Sequence, residues 1–134
     1  MSDIFIKNIP HEQITTLASQ VEVQAGQVVS KTLAQNDALS ITIFSFDKGE
    51  EIGTHGSSGD AMVTVLEGVG KFTVDGQEYV LKRGETLVMP ANKPHSVYVK
   101  KHLNVGCGFS TNKIVKIETI GEEDSIFNVT ANAI

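Results

Sequence analysis

Two stretches of this chain carry residues able to do chemistry. In the first, Gly49 to Gly68, His55 follows Gly53 and precedes Gly56-Ser57-Ser58-Gly59; in the second, Gly84 to His95, His95 follows Pro94. Glycine and proline turns let backbone bend into a cavity mouth, where an imidazole is a candidate ligand. Spacing alone does not separate this from a plainer reading, in which each histidine is hydrogen-bonded at the boundary of an ordinary core. His11, in the N-terminal segment, matters only across a subunit contact, and His102, beside Lys100 and Lys101, reads as an exposed strand end. No Gly-x-Ser-x-Gly elbow and no phosphate-cradling glycine loop is present, which removes the commonest hydrolase and nucleotide signatures. Glu67 and Glu85 fall in turns, so paired-carboxylate catalysis has no support.

The elements that must position these histidines are short strands. Residues 38–46 (Ala-Leu-Ser-Ile-Thr-Ile-Phe-Ser-Phe) alternate Leu39, Ile41 and Ile43 with Ser40 and Thr42, the period of a half-buried strand. Further strands are expected over 20–24, 27–33, 61–67, 71–74, 77–81, 86–89, 95–100, 103–109 and 113–119. Asp75-Gly76 predicts a two-residue hairpin, because that turn needs positive φ at both centres. Gly68 and Gly70 bracket another expected turn, and Arg83-Gly84 a third. The one helical turn is expected over residues 10–18, with Pro10 near its start and Glu12 following. So many short strands without a long helical period predict an all-β sandwich or closed barrel.

At 134 residues the chain is expected to be one domain, 1–134, large enough for a packed interior. Apolar residues make up 40% and charged residues 20%, an ordinary globular balance. Eleven basic against sixteen acidic residues give a net charge of −5, which disfavours phosphate backbones, so no nucleic-acid partner is expected. No apolar run is long enough for a membrane span, and no membrane partner is expected. Met1 to Lys7 lacks the charged-then-apolar order of a secretory signal, making the cytoplasm the expected location. Cys107, the one cysteine, cannot form an intrachain disulfide and reads as a buried structural thiol.

Together the two segments resemble the paired motifs of the cupin superfamily, and among them those of small, single-domain bacterial cupins. The family's first motif runs glycine, five residues, histidine, any, histidine, three or four residues, glutamate, six residues, glycine. Gly49, His55 and Gly68 match; Ser57 stands at the second histidine and Ala61 at the glutamate. The second motif runs glycine, five residues, proline, any, glycine, two residues, histidine, three residues, asparagine. Gly84, Pro90 and His95 match, Asn92 replaces the glycine and Val99 the asparagine. Asparagine tolerates left-handed backbone, so the change at Asn92 is mild. The matching core spans about residues 38–109. The resemblance implies a double-stranded β-helix, the cupin or jelly-roll barrel, with a short N-terminal helical turn.

Carried over, the resemblance points His55 and His95 into the barrel as candidate metal ligands, an incomplete set for one divalent ion (Fe, Mn, Ni or Zn) as the only expected cofactor. Non-haem iron wants two histidines and a carboxylate, and catalytic zinc three protein ligands. Ser57 is a poor third ligand and Ala61 none. Asp60 neighbours the lost glutamate, but strand alternation turns it away from Ala61, and a turn aspartate bonding its own backbone is the competing reading. If His55 and Ser57 face inward, Ala61, Val63 and Val65 line the same interior, while Met62, Thr64 and Leu66 face outward. Thr86, Val88, Met89 and Val97 are further candidate walls. The expected function is a small-molecule-binding cupin with a degenerate, weak or absent metal site, acting as sensor, carrier or vestigial enzyme. The alternative is a metal-dependent oxygenase, isomerase or lyase using His55, His95 and an unidentified third ligand. A homodimer is expected in either case, since small cupins usually pair and the outer face of Met62–Leu66 wants cover.

Overall fold

The computed structural model describes residues 5–98 and 112–120. Among these, eight strands follow one 3-10 turn, Leu17–Gln20: β1 (Val28–Gln35), β2 (Leu39–Phe46), β3 (Glu51–His55), β4 (Ala61–Val74), β5 (Gln77–Lys82), β6 (Thr86–Met89), β7 (His95–Tyr98) and β8 (Asn112–Thr119). All pairings are antiparallel. The strand order is β1-β2-β8-β4-β7-β3, and β5 and β6 also pair with β4. The sheet curls into the jelly-roll barrel that the sequence predicts. The strand expected over 103–109, Cys107, His102 and Val99 lie outside the described residues. No helix among those described is long and apolar enough to cross a membrane.

β4 holds the barrel together, and it differs from the sequence reading. Residues 61–67 and 71–74, expected as two strands around a turn, form one strand of 14 residues. Gly68 bends it with φ 81° instead of reversing it. Just before it, Val65 pairs with Ile114 but Glu67 pairs with Lys113, so Leu66 is an extra residue in the ladder. One extra residue moves every later side chain to the other face. Ala61, Val63 and Val65 are buried before the bulge, and Gly70, Phe72 and Val74 after it. The strand thereby keeps one face inward as it leaves the β6–β8 side of the barrel for the β5–β7 side.

The main core collects Ala61, Val63, Val65, Phe72 and Val74 of β4 with Phe44 and Phe46 of β2, Leu81, Met89, Val97 and Ile114. A second cluster, Val21, Leu33 and Ile43 with Ile9, Leu17, Val29, Ile41 and Leu66, lies on the outer face of β1 and β2, where the N-terminal segment covers it. That segment carries the one short helical turn the sequence suggests, displaced to the C-terminal end of residues 10–18, but not the strand suggested over 20–24. Glu12 adopts φ 59°, which breaks a right-handed helix, and the turn forms at Leu17–Gln20. Glu22 spends its carbonyl on the Ser45 hydroxyl, 2.9 Å, and not on a ladder. The hairpin at Asp75-Gly76 forms with φ 51° and 85°, joining Val74 to its partner Gln77.

Candidate functional site

His55 and His95 come from strands that pair directly. Ile52 of β3 sits opposite Val97 of β7, and His55 sits opposite His95, so β3 contains one residue more than β7 between these rungs. Regular alternation would place residue 54 beside His95; the extra residue puts His55 there. The two rings meet edge to face, with centroids 4.4 Å apart and planes at 69°. Val74 completes the row on the other side of His95.

The imidazoles differ in environment. His55 is partly exposed, and its Nδ1 lies 3.0 Å from the Gly53 carbonyl. A carbonyl only accepts, so neutral His55 carries its proton on Nδ1 and turns the Nε2 lone pair away from that bond. His95 is 1% exposed. Burial, with smaller contributions from His55 and the Lys116 ammonium, lowers its pKa from 6.5 to about 4. The Lys93 backbone pulls weakly the other way, although neither ring nitrogen of His95 has a partner at hydrogen-bonding geometry. His95 is therefore neutral at pH 7. Among the described residues, His55 Nε2, His95 Nδ1 and His95 Nε2 are all buried without a partner.

Across the interior lies a second row of polar groups. On β8, Asn112, Ile114, Lys116 and Glu118 alternate inward. Glu118 is opposite Ala61, and Lys116 is opposite Val63. On its other side β8 sets Glu118 against Ser40 and Lys116 against Thr42. Lys116 is 3% and Glu118 6% exposed, and their charged ends are 2.5 Å apart. Burial lowers the Lys116 pKa, and the Glu118 carboxylate partly restores it. Asn112 is fully buried with both amide atoms unpartnered among the described residues, and Gly70 leaves it room: a Cβ at Gly70 would come within 3.0 Å of Asn112 Nδ2. The sequence hid these residues, because residues 112–119 carry apolar side chains and lysines on both alternating faces. Only pairing with β4 decides which face turns inward.

Of the residues proposed from sequence, Ala61 and Val63 are fully buried, Val65 and Val97 are 1% exposed, and Met89 is fully buried. Met89 is opposite Ala61 and Val97 opposite Phe72. Val88 and Thr86 are exposed and not interior walls, because β6 turns Leu87 and Met89 inward. Ser57 sits in the β3–β4 turn, where its hydroxyl donates to the Gly59 carbonyl, 2.8 Å. Asp60 accepts the Ala91 N–H at 2.8 Å, so it ties two turns together and does not bond its own backbone. Asn92 takes φ 64° and donates its N–H to Ser57 O, 2.8 Å. His11 is outside, its Nε2 2.7 Å from the Ile6 carbonyl. A surface groove of about 360 Å³, lined by Val74, Asp75, Gln77, Tyr79, Leu87, Val88, Pro90 and Lys93, includes Val88 of the proposed wall residues but neither His55 nor His95.

No three His, Cys, Asp or Glu side chains converge among the described residues. The Ser57 hydroxyl is engaged in its turn, where it donates to the Gly59 carbonyl.

The cupin domain profile matches residues 42–104. A conserved protein of unknown function from Streptococcus pyogenes is 38% identical, with a TM-score of 0.78, over 91% of this chain and 97% of its own. A cupin superfamily protein from Desulfitobacterium hafniense is 33% identical, with a TM-score of 0.75, over 86% of this chain and 97% of its own. A cupin 2 conserved barrel domain protein from Leptotrichia buccalis is 43% identical, with a TM-score of 0.70, over 77% of this chain and 46% of its own. No functionally curated protein matches. With the barrel, the facing imidazoles and relatives of this similarity in hand, the chain belongs to the cupin superfamily.

Proposed function

We propose that the barrel interior is a small-molecule site centred on His55 and His95, with a metal site that is degenerate, weak or absent. The observation that carries this reading is the set of three buried imidazole nitrogens without a partner among the described residues. Each buried polar atom left unpaired costs roughly 1–3 kcal/mol, and native interiors rarely keep several together without a bound species to satisfy them. Ala61, Val63, Met89 and Val97 belong to the same buried apolar cluster, and apolar walls with a few polar groups are usual for small-molecule sites. Such a site suits a sensor, a carrier or an enzyme that has lost its metal. The test is metal analysis of protein purified without a chelating resin. Metal well below one equivalent after dialysis is expected; near-stoichiometric Fe, Mn, Ni or Zn that survives dialysis overturns the reading.

One observation favours the second reading, a metal-dependent oxygenase, isomerase or lyase. The Gly53 contact fixes His55 with Nε2 free, the state in which histidine ligates metals. That reading needs a third donor beyond the two imidazoles. It requires His95→Ala to abolish metal uptake, and unchanged metal content in that variant removes it.

A further inference from the structure

We propose that Lys116, held by Glu118, is the interior's own cation, and that the small molecule bound beside His55 and His95 presents a carboxylate to it. The proposal rests on the interior site described above and adds its charged residues and its ligand class.

The register places the pair. Glu118 is the direct neighbour of Ala61 and Lys116 the direct neighbour of Val63, and directly opposed side chains share a face with Cβ atoms roughly 5 Å apart. Ala61 and Val63 are fully buried, so Lys116 and Glu118 enter the same interior. The residues carrying charge there are thus supplied by β8 and not by the first motif, whose glutamate position is Ala61.

A buried ion pair needs a reason. Its desolvation cost commonly equals or exceeds its attraction, and apolar replacements of similar volume are often as stable. This pair does not complete a closed network. An ammonium has three N–H donors, and among the described residues Glu118 is its one polar partner. Its other N–H donors have no partner among the described residues, as is true of the His95 ring nitrogens. The Ser40 and Thr42 side chains stand beside Glu118 and Lys116 on β2.

These groups favour an anionic oxygen ligand. A carboxylate only accepts, and charge-assisted bonds from an ammonium are about twice as strong as neutral ones. A cationic ligand would meet Lys116, and Glu118 is already engaged at 2.5 Å. His55 keeps partial exposure, which leaves a way in from its side. In this arrangement an ammonium does the work of binding and polarising an oxygen, the role a metal ion plays where a complete ligand set exists.

The experiment uses acetate and its uncharged counterpart acetamide as probes, titrated into the full chain at pH 7 and matched ionic strength, with the ring signals of His55 and His95 followed by NMR. Acetate is expected to shift both rings saturably, with acetamide at least tenfold weaker. The double variant Lys116→Met, Glu118→Leu removes both charges while conserving apolar volume, and it is expected to lose the preference for acetate. The wild-type comparison needs no variant and stands if the double variant does not fold. Equal response to the two probes overturns the carboxylate assignment and leaves the interior-site reading in place. A folded double variant that still prefers acetate overturns the role of Lys116. Rings that respond to neither probe overturn both readings.

Discussion

Glu118 stands directly across the β4–β8 ladder from Ala61. The interior therefore regains a carboxylate one strand away from the position at which the family's motif would place its glutamate, but this carboxylate arrives already paired with Lys116. A metal-binding carboxylate must be free to give a lone pair to the ion. The same charge, moved one strand and clamped by an ammonium, makes a different kind of site.

Restoring the motif should restore the metal. The double variant Ser57→His, Ala61→Glu supplies an imidazole and a carboxylate at the two motif positions that lack them, bringing the set to the three or more ligands that zinc and non-haem iron require. Zinc affinity, measured by competition with a chromophoric chelator, is expected to rise at least tenfold over the wild type, about 1.4 kcal/mol. An unchanged affinity would show that the two positions do not converge on the imidazoles.

His95 sets a pH dependence of stability. Its pKa is about 4 in the folded chain against 6.5 for the ordinary group, so between these values the unfolded chain binds more protons than the folded one. Stability contributed by neutral His95 is complete above pH 6.5, falls as the pH drops toward 4, and changes no further below that. At about 1.4 kcal/mol per unit the loss is roughly 3 kcal/mol. Urea unfolding at pH 7 and pH 4.5 measures it: His95→Gln should shrink the difference relative to wild type by about 2–3 kcal/mol. An equal difference in the two proteins removes His95 as the cause.

The turn that carries Ser57 depends on Gly59. A Cβ there would run into the carbonyl and hydroxyl oxygens of Thr119. Thr119 also gives both its N–H and its hydroxyl to the Asp60 carbonyl, each at 2.9 Å, so the end of β8 cannot move aside freely. Gly59→Ala should cost about 1–3 kcal/mol, read as a Tm lowered by several degrees. A Tm equal to that of wild type would mean the contact relaxes without cost.

The outer face should pair two copies. Met62 is 38% and Val88 52% exposed, and they face each other across β4 and β6. Adjacent exposed apolar side chains of this kind mark association surfaces. Light scattering after size exclusion is expected to give a homodimer for the wild type and a monomer for Met62→Lys. A wild-type monomer at every concentration refutes the pairing.

The sequence by itself determined the family, the all-β barrel and the two histidines, because motif spacing, turn residues and the two-residue period are local properties of the chain. Asp75-Gly76 announced its hairpin and Asn92 its left-handed backbone for the same reason. What remained hidden depends on register between strands far apart in sequence. Ala61 and Glu118 are 57 residues apart, and nothing in residues 112–119 says which alternating face turns inward until β4 pairs with them. Two bulges, at Leu66 and between Ile52 and His55, then shift the parity that alternation alone would assign. The tertiary structure thus decided that His55 meets His95, and that Lys116 and Glu118 stand inside where the motif lacks its glutamate.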